Sequence, residues 1–213
     1  MNATWSLLPA ICMATTADEG TNALFYRLAN ECCSLAEAIQ DTASADLHAA
    51  PLKTRGSVML WIGMTAAFKG GDVEPDEALQ EKLLAEVQRI KAADFYGSRI
   101  MIAAYEEDKL ASLPPPTEEE KARVRGQLID LLKSTIQQAS GINDKENAET
   151  YGLDRAAALL MARYAMRAEL IQPTSDAGLQ QLLHALHEAD SAVKARVKAH
   201  GYYGSRIVTE LLR

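Results

Sequence analysis

One segment with the side chains for binding chemistry occurs twice in this chain. Phe95-Tyr96-Gly97-Ser98-Arg99-Ile100 recurs as Tyr202-Tyr203-Gly204-Ser205-Arg206-Ile207, 107 residues later. A serine that caps a helix exposes backbone amides behind it, and an arginine and a tyrosine hydroxyl beside those amides complete a set that can hold a small anion. The residues of such a ligand site are Tyr96, Ser98 and Arg99 in the first copy and Tyr203, Ser205 and Arg206 in the second. A plainer reading has the aromatic rings packing a corner while each arginine pairs with a neighbouring carboxylate. It is the better supported of the two, because a duplicated fold keeps the residues that shape its corners.

Other reactive side chains carry less. His184 and His187 stand three residues apart, close enough on a helix to share one metal ion. Only His48 and His200 remain to complete a ligand set, and no Glu-x-x-His pair occurs, so no metal site is expected. The three cysteines are Cys12, Cys32 and Cys33. Adjacent cysteines on a helix point about 100° apart, so an odd count with a neighbouring pair is not a disulfide framework. They read as buried hydrophobes in a reducing compartment, and no cluster of bases lowers their pKa. A nucleophile elbow, a phosphate-binding loop, a dinucleotide glycine fingerprint and a His-Glu-x-x-His motif are all missing. Neither catalysis nor a cofactor is expected.

Charge says more than the motifs. The formal net charge is −7, with an isoelectric point near 5.2, which argues against a nucleic-acid partner. Residues 1–113 hold 9 Lys and Arg against 16 Asp and Glu, whereas residues 114–213 hold 13 of each. The whole imbalance lies in the first half. It is concentrated at Asp72, Glu74, Asp76 and Glu77 and at Glu106, Glu107 and Asp108. Acids at a helix start offset its dipole and need no further reason. The run at 106–108 is expected near a helix end, where the dipole opposes it, and so hints at an external cationic partner.

The elements that must position these groups are helices. Aromatic residues make up 6% of the chain, and no period-two alternation of useful length occurs. Leu24, Leu28, Cys32, Leu35 and Ile39 form one stripe of a first helix. Val124, Leu128 and Leu132 repeat that stripe 100 residues on, after a capping box at Thr117-Glu118-Glu119-Glu120. A second helix over about 56–68 is apolar nearly all round and is expected to be central and buried; its counterpart spans about 153–170. Third helices begin after Glu74-Pro75 and Pro173-Thr174, with stripes at Leu79, Leu83, Val87 and Ile90 and at Leu179, Leu183, Leu186 and Val193. Gly97 and Gly204 predict breaks at 95–97 and 202–204, with Ser98 and Ser205 capping helices that follow. The pattern predicts an all-α bundle of about six main helices, built from two tandem, pseudo-symmetric three-helix repeats. An N-terminal segment covers 1–19, an acidic repeat 20–113 and a neutral repeat 114–213, the two repeats sharing one domain. Leu113-Pro114-Pro115-Pro116 separates them, since no helix crosses such a run.

No stretch reaches the ~20 apolar residues of a membrane helix. Trp5 to Met13 is apolar, but no basic residue precedes Arg27 and Pro9 interrupts the run, so it does not read as an export signal. A cytoplasmic location without membrane contact is the expectation. The function expected from these features is a non-enzymatic protein-binding module: an acidic inhibitor of a partner with a basic surface, of the immunity, antitoxin or anti-defence kind. The alternative is a helical regulatory protein that binds a small anionic ligand at the two Tyr-Gly-Ser-Arg corners.

Overall fold

Side chains that satisfy the first free amides mark where the long helices start. In a computed structural model of the protein, which describes residues 19–71 and 73–201, the α-helices are α1 (Glu19–Glu37), α2 (Thr42–Phe68), α3 (Glu77–Ala92), α4 (Arg99–Tyr105), α5 (Glu118–Gln138), α6 (Lys145–Arg167) and α7 (Ala177–His200). Among the described residues there is no strand, so the fold is all-α. Thr117 and Glu120 form the expected reciprocal cap of α5. Asp41 and Ser44 do the same for α2, and Asp144 accepts from the Asn147 amide at the start of α6. Asp76 accepts from the Leu79 amide to open α3, and Asp176 accepts from the amides of Gly178 and Leu179 to open α7. The aspartates, not the prolines, begin the third helices. Pro75 precedes the cap, and Pro173 opens a short 3₁₀ turn, Pro173–Ser175.

The expected break in the first copy is present. α3 stops at Ala92, a 3₁₀ turn covers Asp94–Gly97, and Ser98 caps α4 by accepting from the Met101 amide. α7 ends where Gly201 adopts a left-handed conformation (φ 68°), which a residue with a Cβ rarely tolerates. The second break, 202–204, lies outside the described residues, as does the N-terminal segment up to residue 18.

Packing follows the apolar stripes. Leu24, Leu28 and Cys32 of α1 are buried, as are Val124, Leu128 and Leu132 of α5. α1 packs on α2 and α3; α5 packs on α6 and α7; and α2 and α6 pack on each other. The largest core cluster joins Ala45, Ala49 and Ala50 of α2, Ile100 and Met101 of α4, and Met161 and Ala165 of α6. Alanines at those α2 positions let the neighbouring helices approach closely.

Two expectations about the second helices need correction. α2 begins at Thr42, not near 56, and runs 27 residues, about 40 Å, with Pro51 inside it. α6 likewise begins at Lys145 rather than 153. The later half of α2 is also not buried all round. Ile62 and Ala66 pack with Leu24, Phe25 and Leu28 of α1 and Leu153 of α6, but Leu60, Met64 and Phe68 are 63, 50 and 87% exposed. Among the described residues, neighbours pack on the side of this stretch that carries Ile62 and Ala66.

No helix of the described residues is long and apolar enough to cross a membrane. The two sides of α2 should answer differently to truncation. Ile62→Ala is expected to destabilise the fold by about 2–5 kcal/mol and Leu60→Ala by no more than ~0.5 kcal/mol, read by urea unfolding.

Candidate functional site

The first Tyr-Gly-Ser-Arg corner is built against a buried carboxylate. Ser98 is 1% exposed and Asp46, one turn into α2, is 2% exposed. Asp46 accepts from the Arg123 guanidinium of α5 at 2.8 Å, from the Ser98 hydroxyl and from the Ile100 amide in the first turn of α4. Burial raises the Asp46 pKa above its ordinary value, while the Arg123 and Ser98 contacts oppose the shift. The place where an external anion would meet Ser98 and the α4 amides is therefore taken by the chain's own carboxylate. Arg99 donates to the Pro114 carbonyl and lies 3.6 Å from Glu120, so it ties the corner to the start of α5. The approach of Arg99 to Glu120 is the kind of arginine–carboxylate contact that the plainer reading describes. Tyr96 contributes its backbone to the 3₁₀ turn. Tyr203, Ser205 and Arg206 lie outside the described residues.

A second buried carboxylate occupies the matching place on α6. Glu149 is buried in the first turns of that helix and pairs with Arg27 of α1 at 2.9 Å, and Arg27 also reaches Glu146 at 3.2 Å. In the other direction Gln127 of α5 donates to the Ala43 carbonyl at 2.8 Å, beside Asp46. α1 thus reaches the opening turns of α6, and α5 those of α2. Arginines on the third helices complete the frame. Arg89 donates to the carbonyls of Ile39 and Ala36 at 2.8 and 2.9 Å, and Arg196 donates to those of Ser140 and Ala139 at 2.7 and 3.2 Å. These carbonyls lie at or just beyond the C-terminal ends of α1 and α5.

Sequence reasoning missed this frame, although a signal for part of it existed. Arg89-Ile90 and Arg196-Val197 are separated by the same 107 residues as the repeated corner. Asp46 offered no such signal, because one acid in an alanine-rich stretch looks solvated and its donors lie far along the chain.

The acidic residues fall on two separate elements. Asp76 caps α3, Glu77 is exposed in the first turn of that helix, and Glu74 is exposed in the preceding loop. Asp72 lies outside the described residues. The run at 106–108 begins at a helix end, Glu106 being the C-cap of α4. α4 stops at Tyr105, and Glu107 and Asp108 open a new 3₁₀ turn, Glu107–Ser112, whose dipole favours acids there. Glu107 pairs with Arg167 of α6 at 2.5 Å, and Glu106 pairs with Lys109 at 2.6 Å. Asp108 is exposed.

His184 and His187 are exposed on α7, and His184 lies 3.6 Å from Glu188. Among the described residues, no group of three or more His, Cys, Asp or Glu side chains could hold a metal ion. Burial pushes the Cys32 thiol up to about 12 and raises that of Cys33, so neither is a ready thiolate. An open groove of about 490 Å³ between the start of α5 and the segment 170–177 is lined by Lys121 and Arg125, but Glu118 and Asp176 neutralise them. No protein-family model, curated protein or solved structure matches the chain.

Two stability measurements follow from this geometry. Arg123→Ala leaves Asp46 buried without its cation and is expected to cost about 3–5 kcal/mol in urea unfolding. The Arg125 guanidinium and the α7 amides hold Asp176 down at about 2, below its ordinary 3.8. A depressed carboxyl stabilises the fold above its unfolded pKa and loses that contribution as pH falls through the folded value. Unfolding curves between about pH 5 and 2 should therefore fall less steeply for Asp176→Asn than for the wild type.

Proposed function

We propose that this chain is a non-enzymatic protein-binding module of the cytosol, an acidic inhibitor whose partner presents a basic surface. One observation carries the reading: residues 1–113 hold all of the net charge of −7, and residues 114–213 hold none. Opposed fields steer association and favour partners of the opposite sign. The exposed carboxylates of Glu74, Glu77 and Asp108 are the strongest candidates for that field, because Glu106 and Glu107 already face Lys109 and Arg167. The alternative, a regulatory protein holding a small anion at the two corners, has less support at the first corner, where Asp46 takes the serine hydroxyl and the Ile100 amide.

The scaffold reads as two tandem three-helix repeats, 20–113 and 114–213, packed as one domain. Three features support the duplication. Asp76 and Asp176 cap helices that each continue with Leu-Gln, and Gln80 and Gln180 reach back to the carbonyls of Pro75 and Thr174. Arg89 and Arg196 clasp the ends of α1 and α5. Asp46 and Glu149 are buried at matching depth in the two central helices.

The test of the charge reading begins with a partner recovered from native lysate by the full chain and identified by mass spectrometry. Glu74→Lys, Glu77→Lys and Asp108→Lys together should slow its association about tenfold or more at low salt and flatten the salt dependence. Stability should change by ~1 kcal/mol at most, since these charges are exposed and only Glu77 and Asp108 lie in first helical turns. An unchanged on-rate and salt slope would exclude the acidic half as the binding face. Loss of binding on Arg99→Ala and Arg206→Ala, with the charge-reversed protein unaffected, would move the site to the corners.

A further inference from the structure

α4 is the element that completes the buried carboxylate of the first half. Ile100 and Met101 share a core cluster with Ala45 and Ala49 in the opening turns of α2 and with Met161 and Ala165 near the end of α6. From there the Ser98 hydroxyl and the Ile100 amide join Arg123 as donors to Asp46. Asp41 and Asp144, which cap α2 and α6, are 103 residues apart, and that spacing carries Ala45 and Asp46 onto Ala148 and Glu149. It also carries Met161 and Ala165 back onto Val58 and Ile62 of α2. Ala148 and Glu149 are buried, yet among the described residues the partners of Glu149 are cations only, Arg27 at 2.9 Å and Lys145 at 3.8 Å. The neutral donors that complete Asp46 have their sequence counterparts in Ser205 and Ile207. Chain length keeps those counterparts close. Val197 shares a cluster with Ala148 and Tyr151 of α6, and Gly201 ends α7 one turn later. Ser205 follows Gly201 by four residues, a reach of at most about 14 Å.

We propose that the surface formed by the opening turns of α6 and the last turns of α2 is the docking site of the chain's own residues 202–213. Ser205 donates to Glu149 as Ser98 donates to Asp46, and Ile207 joins Val58 and Ile62 as Ile100 joins Met161 and Ala165. Glu149 has room for such a donor. Arg27 is shared among Glu31, Glu146 and Glu149, so it leaves lone pairs of the buried carboxylate to be met by another group. The inference rests on the tandem-repeat reading and goes beyond it. The second Tyr-Gly-Ser-Arg corner serves an internal acid, so neither corner remains open to an external anion.

Methyl NMR on the isotope-labelled full chain tests the docking directly. NOEs are expected from the Ile207 methyls to those of Val58 and Ile62, with Ile100 to Met161 and Ala165 as the internal control. In urea, Ser205→Ala should raise the unfolding equilibrium constant about fivefold or more, but less than about twofold in a Glu149→Met background. That background keeps the side-chain volume, and Arg27 keeps Glu31 and Glu146; should it fail to fold, the NOEs still decide. Titration with inorganic phosphate should leave the Ser205 and Arg206 amide resonances unmoved. Control NOEs without those from Ile207, or an equal effect of Ser205→Ala in both backgrounds, overturn the docking and leave the duplication standing. Phosphate shifts that saturate at Ser205 and Arg206 also overturn it and return the corner to an external anion. NOEs found only between differently labelled chains would assign the surface to residues 202–213 of a second copy, which likewise overturns the proposal. An experimental structure in which 19–92 cannot be superposed on 118–200 would remove the duplication and the proposal together.

Discussion

Asp46 has to be given donors, because an ionised carboxylate removed from water costs several kcal/mol unless hydrogen bonds and a cation replace its hydration. The donors it receives come from three places: the Arg123 guanidinium on α5, the Ser98 hydroxyl before α4, and the Ile100 amide inside α4. One buried oxygen pair therefore fixes where α4 starts, how α5 crosses α2, and why a serine stands at the corner. Glu149 imposes the same demand on α6, and Arg27 of α1 answers it. Apolar burial supplies most of the driving force, but it is non-directional. The two carboxylates add direction, since only one arrangement of α1, α2, α5 and α6 pairs both.

Around that frame the charges divide into two kinds. Arg27, Arg55, Arg123 and Arg155 each pair with an acid on another helix, so they hold elements together. Glu74, Glu77 and Asp108 are exposed. Their excess in the first half is therefore a property of the surface, separate from the internal pairs. Val73, the chain neighbour of Glu74, is buried against Ile62 and Ala66 of α2.

Much of the architecture was legible wherever a local rule decided it. The stripe Leu24–Leu28–Cys32, the Thr117–Glu120 cap and the break at Gly97 each depend on residues within a few positions of one another. The start of α2 was misjudged because its apolar run begins near residue 56, while the reciprocal cap at Asp41 and Ser44 lies well upstream of that run and fixes the true start. Its later half was misjudged for another reason: an apolar periphery tells that a helix can be covered on every side, not that neighbours exist to cover it. The role of Ser98 was half legible. Its capping bond is local, but the carboxylate that fills the place of an anion comes from 52 residues earlier in the chain.

The reciprocal pairs also set an order of events for folding. Arg123 and Asp46 are 77 residues apart, and Arg27 and Glu149 are 122 apart. Helical turns close in microseconds or less, whereas contacts at such separations wait for large loops to be closed. Each carboxylate thus stays hydrated until the helices that carry its donors are in place, α4 and α5 for Asp46 and α1 for Glu149. Interactions made that late act chiefly on the unfolding rate and little on the folding rate. Asp46 and Glu149 are latches on the finished protein, closed last and governing how long it stays shut.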